Sequence, residues 1–531
     1  MLYLRKSSVA IALMLSLGAC SGGGGDSSSG DTGSGGNNGG TSGDITWVQG
    51  TFADAGVYKN FCANPRGGTS DKTGTALHEK MWLRSWTNET YLWYSEVPDN
   101  NPSNFNTVEA YFDQLKTTQT TSSGAYKDRF HGSMSTEEWE ALSNSGESLG
   151  YGVEFQLLKA SPPRQIVAAY TEPGSQAANA GILRGAEFLE ANGVDVVYSN
   201  DVDALNAAFF PTEKGKASTF KIRDVNGTER TVSLTANTVT QVPVQNVKAI
   251  TTTSGKVGYL QFNSHIATAE GALVSAIDTL KAQGVTDLVL DVRYNGGGLL
   301  AIASQLGYMI AGPSRTSNKI FENTTFNDKH TSTNPVTGQA LVPMPFINTG
   351  VGFSYSQGQA LPYLGLGRVF VLTTAATCSA SEAIINGLRG IDLDVVQIGN
   401  RTCGKPYGFY PTDNCGTTYF SIQFRGENDK GFGDYADGFE PRNSPVLSGE
   451  PVNGCNLADD FTKQLGDPAE AMLAAALQYR LDGSCPAAAV AQFAPSRVTQ
   501  ETVEGDALSD GRELNVFRNN RIMTLPQGKS Q

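Results

Sequence analysis

Between about Val247 and Cys485 the chain alternates short apolar runs with amphipathic stretches, and this pattern constrains the fold most. The runs "KVGYLQF", "TDLVLDVR", "GRVFVLT" and "DVVQIG" are too short for helices and nearly continuous in apolar character. Such runs read as strands covered on both faces. Between them lie "AEGALVSAIDTLKAQG", "GLLAIASQLGYMIAG" and "SEAIINGLRG", which read as helices, the first closed by Gly284. A further helix is expected in "GDPAEAMLAAALQYR", with Asp467 as cap, Pro468 in the first turn and Glu470 completing the start signal. Strands alternating with helices predict a β/α layered core over residues 247–485.

The rest of the chain divides by composition. At 531 residues it exceeds one domain, and its length suggests about three to four. Residues 1–20 carry Arg5 and Lys6, an apolar run from about Val9 to Leu17, and "LGAC" ending at Cys20. This is the layout of a secretory signal, and the run is too short to span a bilayer as a mature helix. "LGAC" resembles a bacterial lipobox, which implies cleavage before Cys20 and lipidation of its thiol. Ser21, a non-Asp residue at the following position, points to the outer membrane of a bacterial cell envelope. Residues 21–44 form a Gly/Ser linker that cannot bury apolar surface. Residues 45–147 read as an N-terminal helical domain in which Trp82, Trp86 and Trp93 fall near one helix face; a core face is preferred over a binding platform. Residues 148–237 change to short strands, with "STFKIRDVNGTERTVSLTA" as a hairpin turning at "NG". Residues 486–531 carry no strong pattern and read as a tail expected to be disordered.

Charge and cysteine content narrow the chemistry. The formal net charge of −13 argues against a nucleic-acid partner, which needs a basic face. Beyond Cys20 there are six cysteines, an even number that suggests disulfides in an exported protein. The local pairings are Cys403 with Cys415 and Cys455 with Cys485, leaving Cys378 as a candidate free thiol. The four histidines are scattered without ligand spacing, so no metal or other cofactor is expected.

Three stretches carry chemistry. "LDVRYNGGGLLA" ends a buried strand in Gly296, Gly297 and Gly298 before a helix, where backbone N–H groups can face an anion. "VLTTAATCSASEAIING" places Ser379 between a strand and a helix, at the sheet end where α/β folds bind ligands. Ser379 followed by Glu382 is also a capping box, so this serine is a cap, a nucleophile, or both. "VVQIGNRTCGKPYGF" supplies Lys405 after a further strand. A serine nucleophile needs a base, and lysine serves only when uncharged.

"LDVRxNxGG", "SASE" and "GK" in this order, with "PGSQAANAGI" and "GYGV" further upstream, resemble the carboxy-terminal processing peptidases of family S41 over about Leu83 to Tyr479. The resemblance implies an α/β multi-domain chain: the helical N-terminal domain, a PDZ-like β-rich domain and a ClpP/crotonase-like β/α protease core. It makes Ser379 the nucleophile, with Ser381 the fallback, and Lys405 the general base. The oxyanion hole is the Ala380 N–H plus a glycine N–H, Gly297 being the expected one. Gly150, Tyr151, Gly152 and Val153 fall at the carboxylate-binding loop, where backbone N–H groups hold a chain terminus and the adjacent strand edge accepts a peptide. The expected activity is a serine endopeptidase cleaving exported polypeptides or their C-terminal tails. The alternative is a non-catalytic peptide or apolar-ligand binding protein on the same scaffold. Two departures stand out. The Ser379–Lys405 spacing, 405 − 379 = 26, is one residue longer than usual, and Phe409 stands where many members have a glutamine that orients the lysine. Tyr410, Gln423 and Glu382 are the candidates for that third role. The partners expected are polypeptide substrates and, through Cys20, a membrane; the oligomeric state stays open.

Overall fold

The protein is described from a computed structural model, which covers residues 45–486 and 521–523. The signal-like segment, Cys20, the linker and most of the C-terminal tail lie outside the described residues. The described residues from Trp47 onward form one compact unit.

Residues 45–147, expected as a helical domain, contain one long helix, α1 (Ala76–Thr90), beside short helical turns and strands. Trp82 and Trp86 stack at 5.1 Å and are buried, so the core-face reading of these rings holds. Their cluster also includes Tyr419, far along the chain. The segment is stitched to the rest by other contacts. The Leu92 N–H donates to Ile422 O, Trp93 packs edge-on against Tyr407 at 4.7 Å, and Gly132–Ser135 pairs with Thr417–Phe420. Its helical content is low because apolar residues that would complete a helical core find partners across the chain instead.

The next segment is a small antiparallel sheet. It comprises β1 (Val153–Lys159), β2 (Gln165–Thr171), β3 (Glu187–Ala191), then helix α2 (Val202–Phe209), β4 (Ala217–Arg223) and β5 (Glu229–Thr235). The strand order is β5-β4-β3-β2-β1. The β4–β5 hairpin turns at Asn226-Gly227, where Gly227 takes φ +86°, a value glycine adopts without penalty. Phe155, Phe188, Phe209 and Phe220 meet at edge-on or tilted angles between sheet and helix. Strand β1 lies at the sheet edge beside this aromatic cluster.

The β/α core follows the pattern read from the sequence. Its strands are β6 (Val244–Thr252), β7 (Gly255–Phe262), β8 (Asp287–Asp291), β9 (Arg368–Thr373), β10 (Asp394–Gly399) and β11 (Gly454–Asn456). They lie in that order, β6 antiparallel to β7 and the rest parallel. Helices α3 (Ala269–Ala282), α4 (Leu300–Ala311) and α5 (Ala380–Gly390) connect successive strands. Alternation along the strands separates two cores. Leu288, Leu290, Val369 and Val371 face α3, α4 and α5, whereas Val289, Phe370, Leu372 and Val396 face α6 (Ala471–Asp482). Each such side chain contributes about 1.5–3 kcal/mol on burial. Every residue of α4 is buried, which explains why its sequence shows no polar face.

Helix α6 starts at Ala471, three residues later than the expected start at Pro468. Asp467 instead takes the Ala469 N–H at 2.9 Å in a turn, and Glu470 is the cap, accepting from the Leu473 N–H at 3.1 Å. Glu470 also receives Arg293 Nη1 at 2.8 Å. That buried ion pair fixes where the helix begins. Arg293 binds Asp291 and Asp459 as well, and Asp459 in turn binds Arg184 at 2.6 Å. Arg184 precedes β3, so this buried network joins the small sheet to the end of β8.

The disulfides correct the local pairings. Cys455–Cys485 forms as expected, but Cys403 pairs with Cys378 and Cys415 with Cys62, at Cα separations of 5.1 and 5.4 Å. Cys378 is therefore not free. Sequence proximity favoured Cys403–Cys415, but each sulfur meets a partner brought near by the sheet rather than by the chain.

Candidate active site

Three strand ends converge at the carboxyl edge of the core sheet: β8 with the glycine run, β9 with Ser379, and β10 with Lys405. The β9–α5 turn is tied to the end of β8 by side chains of its own. Thr377 Oγ1 donates to Val292 O at 2.8 Å, the Cys378 N–H to Asn295 O at 3.1 Å, and Ser381 Oγ to the same Asn295 O at 3.0 Å. Thr374 Oγ1 also donates to Arg293 O. The two serines of "SASE" thus separate. Ser381 is a staple to the glycine loop, whereas Ser379 Oγ is buried and has no hydrogen-bond partner among the described residues.

Ser379 is not an ordinary cap. An N-cap residue normally takes extended angles, but Ser379 has φ +59° and ψ −110°. A non-glycine residue held there costs on the order of 1–3 kcal/mol and persists only where its surroundings enforce it. Half of the capping box is made, because the Ser379 N–H donates to Glu382 Oε2 at 2.8 Å. Ser379 Oγ occupies the matching position near the Glu382 N–H but lies outside hydrogen-bond geometry. In this strained turn the hydroxyl does not complete the cap. The Ala380 N–H, first in the helix, has no hydrogen-bond partner among the described residues, and the helix dipole favours negative charge beside it.

Glu382 joins the serine to the lysine loop. It is fully buried, and Oε2 accepts the N–H groups of both Ser379 and Lys405 at 2.8 Å. The two backbone nitrogens therefore lie within twice 2.8 Å, 5.6 Å, of each other. Oε1 accepts the Gly404 N–H at 2.8 Å and Thr402 Oγ1 at 2.5 Å. Burial pushes this carboxyl above its usual range, against the opposing pull of these donors. Lys405 is itself fully buried; its Nζ lies 4.4 Å from the Phe130 ring centre and 4.9 Å from that of Phe409. Phe409 thus walls the amine instead of hydrogen-bonding it. Of the candidates for the third role, Tyr410 receives Asn334 Nδ2 on its hydroxyl and Gln423 Oε1 accepts the Tyr410 N–H at 2.8 Å. Glu382 spends its oxygens on the loop backbones and Thr402.

The glycine run is held by two residues that the sequence reading passed over. Asn295 Nδ2 donates to Phe262 O at 2.9 Å, and its Oδ1 lies 3.0 Å from His265 Nδ1. Burial pushes the His265 imidazole down to about 3, so it is neutral at pH 7 and its Nδ1 is assigned as the donor. The His265 N–H donates to Gly297 O and the Leu299 N–H to His265 O. A Cβ on Gly298 would sit 2.6 Å from His265 O, so only glycine fits. One assignment changes. The Gly297 N–H, expected in the oxyanion hole, donates to Asn295 Oδ1 at 3.0 Å. Its dipole is satisfied within the loop, and Gly297 serves an oxyanion only if Asn295 releases it. The backbone of Arg521–Ile522 pairs alongside Gly298–Leu299, and the Met523 N–H donates to Phe409 O at 3.2 Å.

The expected peptide-binding loop lies apart from these residues in the chain, at the start of β1. Tyr151 turns its ring inward, its hydroxyl donating to Ala208 O at 2.9 Å, so only its backbone is available. Tyr151 O and Gly152 O accept from Ala177 and Glu172, while no partner is found among the described residues for the N–H of Tyr151 or Gly152. Gly152, at φ +80°, has no room for a Cβ, which would meet Ser175 at 2.2 Å. Among the described residues one trio of potential metal ligands clusters, Cys378, Glu382 and Cys403. Both sulfurs are spent in a disulfide, so the trio does not form a ligand set.

Residues 256–409 match Peptidase family S41, and residues 78–130 match the Peptidase S41 N-terminal domain. The chain therefore carries a region similar to peptidase family S41 and a stretch similar to that family's N-terminal domain. A carboxyl-terminal-processing protease of Picosynechococcus is 29% identical over 273 residues, 51% of this chain and 58% of that protein. The chloroplastic carboxyl-terminal-processing peptidase 3 of Arabidopsis thaliana is 26% identical over 295 residues, 52% of this chain and 50% of the other. The chain thus spans about half the length of the curated relatives it matches. A solved structure from Bacteroides fragilis assigned to the S41 proteases superposes with a TM-score of 0.57 at 24% identity, over 76% of this chain and 97% of that one. That likeness supports the mixed α/β multi-domain fold. The S41 match begins at β7 and ends at Phe409, enclosing the glycine run, Ser379, Glu382 and Lys405. The N-terminal match ends at Phe130, the residue against Lys405 Nζ.

Proposed function

We propose that this chain is a serine endopeptidase in which Ser379 is the nucleophile and Lys405 the general base. The observation that carries the reading is Ser379 itself: a buried, unpartnered hydroxyl on a backbone with φ +59°, whose N–H shares a carboxylate oxygen with the N–H of Lys405. In the reaction, neutral Lys405 accepts the hydroxyl proton as Ser379 Oγ attacks a peptide carbonyl. The Ala380 N–H faces the oxyanion of the tetrahedral intermediate, a contribution on the order of 3 kcal/mol per donor. Lys405 then gives its proton to the leaving amine, and water, deprotonated in the same way, hydrolyses the acyl-enzyme. Substrate capture falls to the PDZ-like segment, where the N–H groups of Tyr151 and Gly152 hold a chain terminus and the edge of β1 adds the peptide as a strand. The core is of the ClpP/crotonase kind. The substrates are exported polypeptides or their C-terminal tails. The mature chain is held at the bacterial envelope, at the outer membrane, by a lipid on Cys20.

The test is cleavage of an unfolded polypeptide with an apolar tail. Ser379→Ala and Lys405→Ala each lower kcat about 10⁴-fold or more, and kcat rises with pH as Lys405 loses its proton. Full cleavage by Ser379→Ala sinks the nucleophile; a profile flat between about pH 6 and 9 sinks the base. A binding protein on this scaffold would retain the peptide and leave it intact. Mass spectrometry of membrane-extracted protein tests the anchor: an unmodified peptide spanning Cys20 refutes it.

A further inference from the structure

The Cys378–Cys403 disulfide joins the two catalytic loops next to their functional residues. Cys378 directly precedes Ser379, and Cys403 precedes Lys405 by two positions. The Cys403 N–H donates to Thr377 O at 3.0 Å, closing the same seam. Glu382 spans it from the other side, taking one N–H from the serine turn and two from the lysine loop. Arg129 from the N-terminal segment braces the outer face by donating to Cys403 O at 2.8 Å. The turn so braced is the one that carries the strained Ser379. Backbone strain relaxes unless something opposes it, and relaxation here moves Oγ relative to the Lys405 amine. Cys378 is fully buried, whereas Cys403 is half-buried, so the side of the bond nearer solvent is that of Cys403.

We infer that the Cys378–Cys403 disulfide, together with Glu382, is a positioning device for the Ser379–Lys405 pair, so that the turnover rate depends on the oxidation state of this bond. The inference rests on the peptidase reading above. A dithiol supplies two electrons and two protons; the sulfur–sulfur bond breaks to two thiols and the dithiol closes to its own disulfide. The serine turn and lysine loop then keep only their hydrogen bonds. A displacement of about 1 Å between reacting groups costs on the order of 100-fold in rate, and substrate capture, which involves other residues, is unaffected.

The experiment uses the full chain. Cys378→Ala/Cys403→Ala, which leaves no odd thiol, lowers kcat about 100-fold with KM within about twofold. The control, Cys455→Ala/Cys485→Ala, keeps kcat within about twofold. Reducing wild type lowers kcat and reoxidation restores it, whereas the Cys378→Ala/Cys403→Ala variant does not respond to reductant. If that variant fails to fold, reduction of native wild type carries the same test. Undiminished kcat in the double variant, or in reduced wild type shown by thiol labelling to have opened this bond, overturns the inference. So does a loss carried by KM. Amide exchange at Gly404 and Lys405 gives a readout independent of activity: opening the bond speeds both, and unchanged exchange overturns the device. An oxidised wild type that cleaves nothing refutes the peptidase reading, while exchange still reports on the clamp.

Discussion

At residue scale, Ser379 admits two descriptions, and stability measurements separate them. As a cap, its hydroxyl stabilises the helix, and Ser379→Ala costs about 1 kcal/mol. As a nucleophile it stabilises nothing: Oγ is buried without a partner, and removing such a group does not weaken the fold. We expect Ser379→Ala to leave the unfolding free energy unchanged or raise it by about 1 kcal/mol while abolishing cleavage. A loss of 1 kcal/mol or more in chemical denaturation would return this residue to the cap role. Ser381→Ala is the contrast. It removes the bond to Asn295 O at 3.0 Å, so it lowers stability by about 1 kcal/mol and loosens the glycine loop. His265 offers a second residue-scale test. Its folded pKa is pushed down from 6.5 to about 3, so between those values the unfolded chain binds a proton that the folded chain refuses. The stability it contributes is complete above pH 6.5 and is lost as pH falls toward about 3, at ~1.4 kcal/mol per pH unit. His265→Gln is less stable than wild type at neutral pH, but the gap shrinks by about 2 kcal/mol as the pH falls from 6.5 to about 5. A gap constant over that range would show that burial does not hold this ring neutral.

At element scale, the strand–helix alternation made β7 to β10 and α3 to α5 legible, because buried parallel strands and their connecting helices leave strong local patterns. Misses arose where a side chain's partner is distant in sequence. The start of α6 depends on Arg293 reaching Glu470 across 177 residues, so the local signal at Asp467 pointed three residues too early. The serine, lysine and glycine motifs were readable because each sits at a strand end. Asn295 was visible inside "RYNGGG", but its work for the glycine run was not. His265 and Phe130 carry no local signal at all, since each matters only through a residue brought alongside by the sheet. Helix α6 supplies the prediction for this scale. Glu470→Ala removes its cap and leaves part of a buried guanidinium uncompensated, so it costs about 3 kcal/mol. Glu470→Gln keeps an acceptor for the Leu473 N–H and costs less. Equal losses, read from denaturant midpoints, would mean that the ion pair adds nothing beyond the cap.

At the scale of the whole molecule, the N-terminal segment is a structural part of the proposed catalytic centre. Phe130 covers the Lys405 amine, Arg129 holds Cys403 O, and Cys62 is bonded to Cys415, which lies in the turn between two strands that follow the lysine loop. The Cys62–Cys415 bond spans 353 residues and encloses the small sheet and most of the β/α core. A link of that reach acts mainly on the unfolded chain, restricting how far it expands. Removing it should therefore lower stability without disturbing the site, the opposite of what is expected for Cys378–Cys403. We predict that Cys62→Ala/Cys415→Ala lowers the unfolding free energy by roughly 3–5 kcal/mol, with kcat unchanged well below the melting temperature. The unfolded chain, freed of its longest loop, exposes more surface, so the denaturant m-value rises as the midpoint falls. A lower midpoint at constant m would place the effect in the folded state. A fall in kcat at low temperature would show that this bond, too, holds the lysine loop in place.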